Sequence, residues 1–500
     1  MHAIKDLSKN DIKFLVTVCI LSSIFYIVMF PGNSFYPDQE QYLTLGNEIL
    51  NGDYSLGVFH RGPLLPLFIS LSFLVGASVN AIIFGLPLIL TIALIIVSFV
   101  FSKRMIGSGC VSTIILLTLP YFWRWTERLL VETLLTIFVL LSILFFFELT
   151  EKKKKSTLLG ISTALAMLTK FTGAILIPVY FIYLLFKKKL NLVKTKEFLE
   201  SISTFLFVFL TVFLVVYILS GSSGLEHLFF VSGVSGTNIF YYIIRFAAIP
   251  WSVFFLFGIY KIWKKRTPQN ELLLITFFVF FAVFQVLNFK EDRFLFAMFP
   301  IYSCIAALGI DWLKEKSKII TKIVFVLFVI FGVVFSAWTL SFDSNHHLAR
   351  IPASGYVSNL PEDAIIASEV SPYYLSLFHL NVVDFPGSKI ERGEIEQNVE
   401  EWILNNDVDY VIISIYGEYD RHPVHYYYNP ELFGIKLPIQ IEYRSNRIPP
   451  DTKFQSSIFT QLENSDLFEN VYENYQNGQK IFIIYKSLNL NINTKNQVIE

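Results

Sequence analysis

Histidine and cysteine are scarce, with 8 and 3 in a chain of 500 residues. The cysteines, Cys19, Cys110 and Cys304, all lie inside apolar runs, where a thiol behaves as a small hydrophobe. Neither a disulfide framework nor a redox compartment follows from them. His422 and His425 flank Pro423 without a third ligand in register, and read as a surface loop beside Tyr426, Tyr427 and Tyr428. Charge is thin as well, at 16% of residues. The sequence has no P-loop, no dinucleotide-binding glycine pattern, no nucleophile elbow and no basic patch of the nucleic-acid kind. Nucleotide chemistry, serine-hydrolase chemistry and a nucleic-acid partner therefore have nothing to rest on. Internal repeats and low-complexity linkers are also missing.

What the sequence has is apolar bulk. At 54% hydrophobic and 17% aromatic, with a mean hydropathy of +0.55, it is too apolar for a soluble fold, and the bilayer is its natural solvent. The net charge of zero hides a division: 29 Lys and Arg face 18 Asp and Glu through Leu340, and 11 face 22 from Ser341 onward. The first apolar run has basic flanks but no small-residue cleavage site, so it reads as a retained span and not a removed signal peptide.

A spanning helix needs roughly 20 apolar residues, and Lys/Arg-rich loops stay in the cytoplasm. Lys5, Lys9 and Lys13 precede the run 14–30, which sets the N-terminus in the cytoplasm and residues 31–61 outside. Runs at 81–101, 111–123 and 131–149 follow, and 63–77 is short enough to be re-entrant or interfacial. Residues 156–186 lie between two lysine clusters, Lys152 to Lys155 and Lys187 to Lys189, so both ends are cytoplasmic and the segment is a hairpin. Each arm has about 14 residues and reaches about 21 Å, which carries Lys170 to the outer face. Runs at 202–219, 240–263, 272–287, 294–312 and 319–340 complete about eleven spans, with the tail outside. Beyond Ser341 short apolar strands alternate with polar turns. Strands are expected at 364–368, 382–385 and 410–415, a helix at 394–405, and a hairpin around Asn477-Gly478.

The expected architecture is thus a polytopic α-helical membrane protein with a C-terminal α/β domain. Residues 1–340 form the transmembrane part and residues 341–500 the extracytoplasmic domain, and the chain is a multi-pass protein of the cell membrane.

Ionisable residues gather where the chain turns at the outer face. Pro37 before Asp38, with a periodic stretch to Leu50, predicts a short helix along the membrane surface. Asp38 at its start reads either as an N-cap or as an ionised carboxylate available as a base or metal ligand. Asp38 and Glu40 resemble a loose metal pair, but two carboxylates do not make a metal site, and no cofactor is required. Arg61, Lys170, Lys290 and Arg293 all fall on the outer side, where interfacial anchoring is the ordinary role. Lys170 differs from the rest. It runs against the positive-inside trend and needs an anionic partner, which a phosphate at the membrane surface would supply. Glu132 opens a span from the same side, and Arg124 and Arg128 are its nearest cations in sequence.

The order of these residues resembles the GT-C glycosyltransferases, in particular the protein O-mannosyltransferase and aminoarabinose transferase relatives that use polyprenyl-phosphate sugars. The resemblance is carried by Asp38 with Tyr42 and Glu48 after the first span, by Arg61 to Pro63, and by Glu132. Leu168-Thr169-Lys170 and Lys290-Glu291-Asp292-Arg293-Phe294 before Pro300 complete it, so that it covers residues 14–340. It implies a GT-C-like catalytic domain whose active-site loop is 31–62. Asp38 would be general base on an acceptor hydroxyl, with Glu40, Tyr42, Arg61, Glu132, Lys170, Lys290 and Arg293 as substrate-binding residues. The implied partners are a polyprenyl-phosphate-linked sugar donor (dolichyl or undecaprenyl), a protein, glycan or lipid acceptor, and membrane lipids. The sequence departs from many relatives in having Gln39 after Asp38, with Glu40 one place later. A lipid-linked sugar flippase and a non-catalytic membrane scaffold are the alternative readings.

Overall fold

The computed structural model describes residues 7–29, 37–52, 62–152, 154–220, 241–247, 249–286, 292–343, 350–368, 375–386, 390, 397–414, 424–428, 431–432, 435–436, 441–445, 457–476 and 479–488. By their contacts the residues fall into two compact units, one of 1–30 and 45–342, the other of 31–44 and 343–500.

The first unit is helical. In chain order it contains α1 (Lys9–Met29), the second half of α2 (Pro37–Asn51), α3 (Leu64–Leu74), α4 (Val79–Ile106), α5 (Gly109–Leu117) and α6 (Pro120–Thr126). Next come α7 (Val131–Lys152), α8 (Ser156–Thr169), α9 (Leu176–Phe186), α10 (Lys196–Ser220) and α11 (Tyr241–Ala247). The last are α12 (Ser252–Lys264), α13 (Pro268–Val286), α14 (Phe299–Lys316) and α15 (Lys318–Asp343). Among the described residues seven helices are long and apolar enough to cross a membrane: α1, α4, α7, α10, α13, α14 with the turn before it, and α15. The chain is therefore a multi-pass membrane protein. Helix ends follow local chemistry. Ser78 accepts a hydrogen bond from the Ala81 amide at the start of α4, and Gly107, at φ +75°, closes it while donating to the Lys103 carbonyl.

The other four of the eleven expected spans are shorter elements. The hairpin 156–186 is α8 and α9 joined by a 3₁₀ turn over Phe171–Ile175. The run 111–123 is interrupted between α5 and α6, because Pro120 lacks an N–H and holds Leu119 extended. The run 240–263 is likewise divided, between α11 and α12, next to Pro250. Hydropathy integrates over such breaks, and proline chemistry decides them. Non-helical backbone at membrane depth must find partners inside the protein. Here the two breaks meet: the buried Trp251 indole donates to Thr118 Oγ1 at 3.1 Å, and a Cβ on Gly332 of α15 would strike the Thr118 carbonyl oxygen.

Helices α12 and α14 touch backbone to backbone. A Cβ on Gly258 would overlap the Ile305 carbonyl oxygen, and one on Gly309 would overlap that of Phe254. Small residues at such a crossing let dispersion act where lipid leaves no hydrophobic driving force.

In the second unit a five-stranded sheet has the order β2-β1-β3-β9-β8. Its strands are β1 (Ile366–Ser368), β2 (Val382–Asp384), β3 (Tyr410–Ser414), β8 (Phe468–Gln476) and β9 (Gln479–Ser487). Strand β1 is parallel to β2 and β3, and β9 is antiparallel to β3 and β8. Short antiparallel pairs join β4 (Val424–Tyr428) to β7 (Ile441–Ser445) and β5 (Glu431–Leu432) to β6 (Ile435–Lys436). The unit also holds α16 (Arg350–Val357), α17 (Val399–Asn405) and α18 (Ser457–Glu463). A capping box between Asn398 and Glu401 starts α17. Its Ile403 packs with Val411, Ile413, Ile483 and, from α18, Ile458 and Leu462.

The α12–α14 crossing gives a direct test. Gly258→Val should destabilise the purified protein by about 1–3 kcal/mol, read as a lower thermal midpoint in detergent. Gly85→Ala, in α4 where an added Cβ meets nothing within 4 Å, should leave the midpoint unchanged or raise it.

Candidate functional site

The first unit concentrates charge where α7 begins and α8 ends. Glu132 is the second residue of α7, where the helix dipole and free amides favour a carboxylate. Lys170 follows the last residue of α8. Its amide donates to Ala166 O at 3.1 Å, after which the backbone turns extended at φ −159°. The turn closes when Gly173 donates to Lys170 O at 2.8 Å, and Gly173 packs so tightly on the Ala166 backbone that a Cβ would sit 2.6 Å from its carbonyl carbon. Arg293 comes from the 3₁₀ turn Asp292–Met298 that leads into α14. The segment before α3 is drawn to the same turn. Gly62 adopts φ +82°, and a Cβ there would overlap the Thr169 carbonyl oxygen, so only glycine fits.

These elements assemble one ionic cluster. Lys170 Nζ lies 2.8 Å from Glu132 Oε1, and Arg293 Nε lies 3.9 Å from the same oxygen. The Glu132 side chain is 4% exposed, Arg293 10% and Lys170 24%, so the cations and not the carboxylate have the open side. Glu132 Oε2 is buried with no hydrogen-bond donor among the described residues. The Phe294 ring forms one wall, 4.5 Å from Lys170 Nζ and 5.7 Å from the Arg293 guanidinium carbon. A carboxylate ringed by two cations, one of them partly open, is suited to receive an anion.

Sequence proximity suggested Arg124 or Arg128 as partners of Glu132, and the ion pairs instead come from Lys170 and Arg293. Arg124 and Arg128 rest on the Trp125 ring, at 5.3 Å and 4.9 Å. In sequence Phe294 is only the end of the motif that starts at Lys290, and the fold makes it a wall of the cluster. The glycines at 62 and 173 were visible, but their close backbone contacts were not.

Asp38 is the second residue of α2 and is buried, as are Gln39, Tyr42 and Leu43. The i, i+4 spacing puts Asp38 and Tyr42 on one face of that helix. Glu40 belongs to the same helix. The part of α2 that carries these residues falls in the second unit, whereas Glu132, Lys170 and Arg293 belong to the first. Arg61 and Lys290 lie outside the described residues. Among the described residues no group of three or more His, Cys, Asp or Glu side chains gathers as a cation site.

Two family models match the sequence. Residues 60–216 match the dolichyl-phosphate-mannose-protein mannosyltransferases, and residues 237–360 match the Alg9-like mannosyltransferase family. Among curated proteins none matches the sequence significantly. Solved structures share the fold. ArnT from Cupriavidus metallidurans, bound to undecaprenyl phosphate, superposes with a TM-score of 0.65 at 14% identity, over 97% of this chain and 99% of that one. The Archaeoglobus fulgidus oligosaccharyltransferase, tethered to an acceptor peptide, gives 0.58 at 12% identity over 92% of this chain and 79% of that one. The mycobacterial arabinofuranosyltransferase AftD gives 0.56 at 11% identity over 96% and 40%. Two separate stretches of the chain thus match mannosyltransferase family models, and its fold is shared with these solved enzymes.

Proposed function

We propose that this protein transfers a sugar from a polyprenyl-phosphate donor to an acceptor hydroxyl at the extracytoplasmic membrane face. The observation that carries the reading is the buried cluster of Lys170 and Arg293 around Glu132, a pair of fixed cations at the helix ends of a membrane-embedded glycosyltransferase fold. The lipid chain lies among the helices, and its phosphate reaches these cations from the bilayer. The ArnT relative bound to undecaprenyl phosphate supports a lipid phosphate as the donor's leaving group.

The reaction is a single displacement with inversion. The acceptor oxygen bonds to the anomeric carbon while the bond from that carbon to the phosphate oxygen breaks, and its electron pair leaves with the lipid phosphate. Lys170 and Arg293 stabilise the charge that grows on the departing phosphate, the role the sequence resemblance also implies for Arg61 and Lys290. The acceptor proton passes to the Asp38 carboxylate as general base, with Tyr42 one turn along α2 lining the same face. The domain after Ser341 binds or screens the acceptor.

Three outcomes are expected. Asp38→Asn should lower transfer from a polyprenyl-phosphate sugar by about 10²–10⁴-fold while the lipid phosphate still binds, and full activity in this variant would remove Asp38 as the base. Transfer should persist after exhaustive chelation. For orientation, Thr172→Cys in a background without the native cysteines should react with a membrane-impermeant thiol reagent added outside intact cells. Labelling only from the cytoplasmic side would reverse the topology.

A further inference from the structure

We propose that Glu132 limits charge discrimination at the phosphate site, narrowing its preference for the spent lipid phosphate monoester over the lipid phosphodiester donor, and so eases product release; this rests on the lipid-phosphate reading above. Glu132 does not stand where a substrate group would first arrive. Its side chain is 4% exposed behind Lys170 at 24%, and the first turn of α7 fixes its position. The carboxylate shares one oxygen between both cations, at 2.8 Å and 3.9 Å, and leaves Oε2 without a donor among the described residues. The arrangement here places a fixed negative charge within ion-pair distance of the cations that receive the phosphate.

The charge of the ligand changes during the reaction. A sugar joined through phosphate to a lipid is a phosphodiester with one negative charge. The product is a monoester, which carries about −1.5 to −2 at pH 7 because its second pKa is about 6. Coulomb energy is linear in charge, so a fixed carboxylate repels the product up to about twice as strongly as it repels the donor. Other charges facing the site alter both affinities, but this difference persists. Without Glu132 the preference of the two cations for the dianion over the monoanion would widen, and inhibition by the product would deepen. The Phe294 ring lies 4.5 Å from Lys170 Nζ and adds an apolar surface beside it.

The test uses the full-length protein in lipid nanodiscs with two probes of one chain length, a polyprenyl phosphate and its methyl ester, which differ in charge and carry no sugar. Dissociation constants are measured at about pH 8, where the monoester is a dianion. The wild type should bind the two within about threefold of each other. Glu132→Gln should tighten the monoester about tenfold relative to the methyl diester, whereas Glu132→Asp, which keeps the charge, should retain the wild-type ratio. A merely structural Glu132 would weaken both probes together in both variants, and an unchanged ratio in Glu132→Gln overturns the proposal. If Glu132→Gln does not fold, the wild type decides, since a monoester bound tenfold or more tighter than the diester sinks the idea. Failure of the wild type to bind either probe would overturn the lipid-phosphate reading itself, a result distinct from an unaltered ratio.

Discussion

A carboxylate buried among apolar helices can remain charged only if cations come to it, and the helical unit is arranged around meeting that requirement at Glu132. The cations arrive from distant parts of the chain, Lys170 from the turn after α8 and Arg293 from the turn before α14. Each needs its backbone brought within a few ångströms. Gly173 lets the turn after α8 fold onto Ala166, and Gly62 lets the segment before α3 lie on Thr169. Substitution by a larger residue at either glycine would displace the Lys170 turn without touching a charged group. The electrostatics thus rests on close backbone packing, and the packing has no other evident purpose at that end of α8.

A second ionic layer marks the opposite ends of the same helices. Lys189 pairs with Glu151 at 2.8 Å near the end of α7, and Lys187 pairs with Glu271 at the start of α13. These pairs are half-exposed and contribute little individually. Their use is to fix which helix ends lie together, so surface charge registers α7, α9 and α13 at one end, and α7 alone of the three carries a member of the buried cluster, Glu132, at its other end.

Long apolar runs and charge asymmetry were legible in the sequence because they are properties of uninterrupted segments. Seven helices of spanning length fall on runs identified that way. The strands ending at Gln476 and starting at Gln479 were equally plain, since Asn477-Gly478 is a strong local hairpin signal in sequence. The breaks near Pro120 and Pro250 were written in the sequence as well, but a hydropathy window runs across a proline without registering the lost hydrogen bond. Within the candidate site, Lys170 could be singled out because it opposed the charge trend of its hairpin. Its pairing with Glu132, 38 positions away, could not be read, because the nearer Arg124 and Arg128 satisfied the same electrostatic demand on paper. Their side chains lie on Trp125. The choice between cations of equal charge was made by helix packing, which one sequence does not display.

The contact between Thr118 and Trp251 ties the two interrupted spans together across 133 positions. It also imposes an order on biogenesis. A ribosome adding roughly 5–20 residues per second needs on the order of ten seconds to pass from the first of these residues to the second. During that interval α5 and α6 are present without the indole, and without Gly332, that close around their break. The nascent chain therefore spends its early membrane life with an incomplete joint at the α5–α6 boundary, and the insertion machinery has to shelter that joint until the second half of the bundle is made.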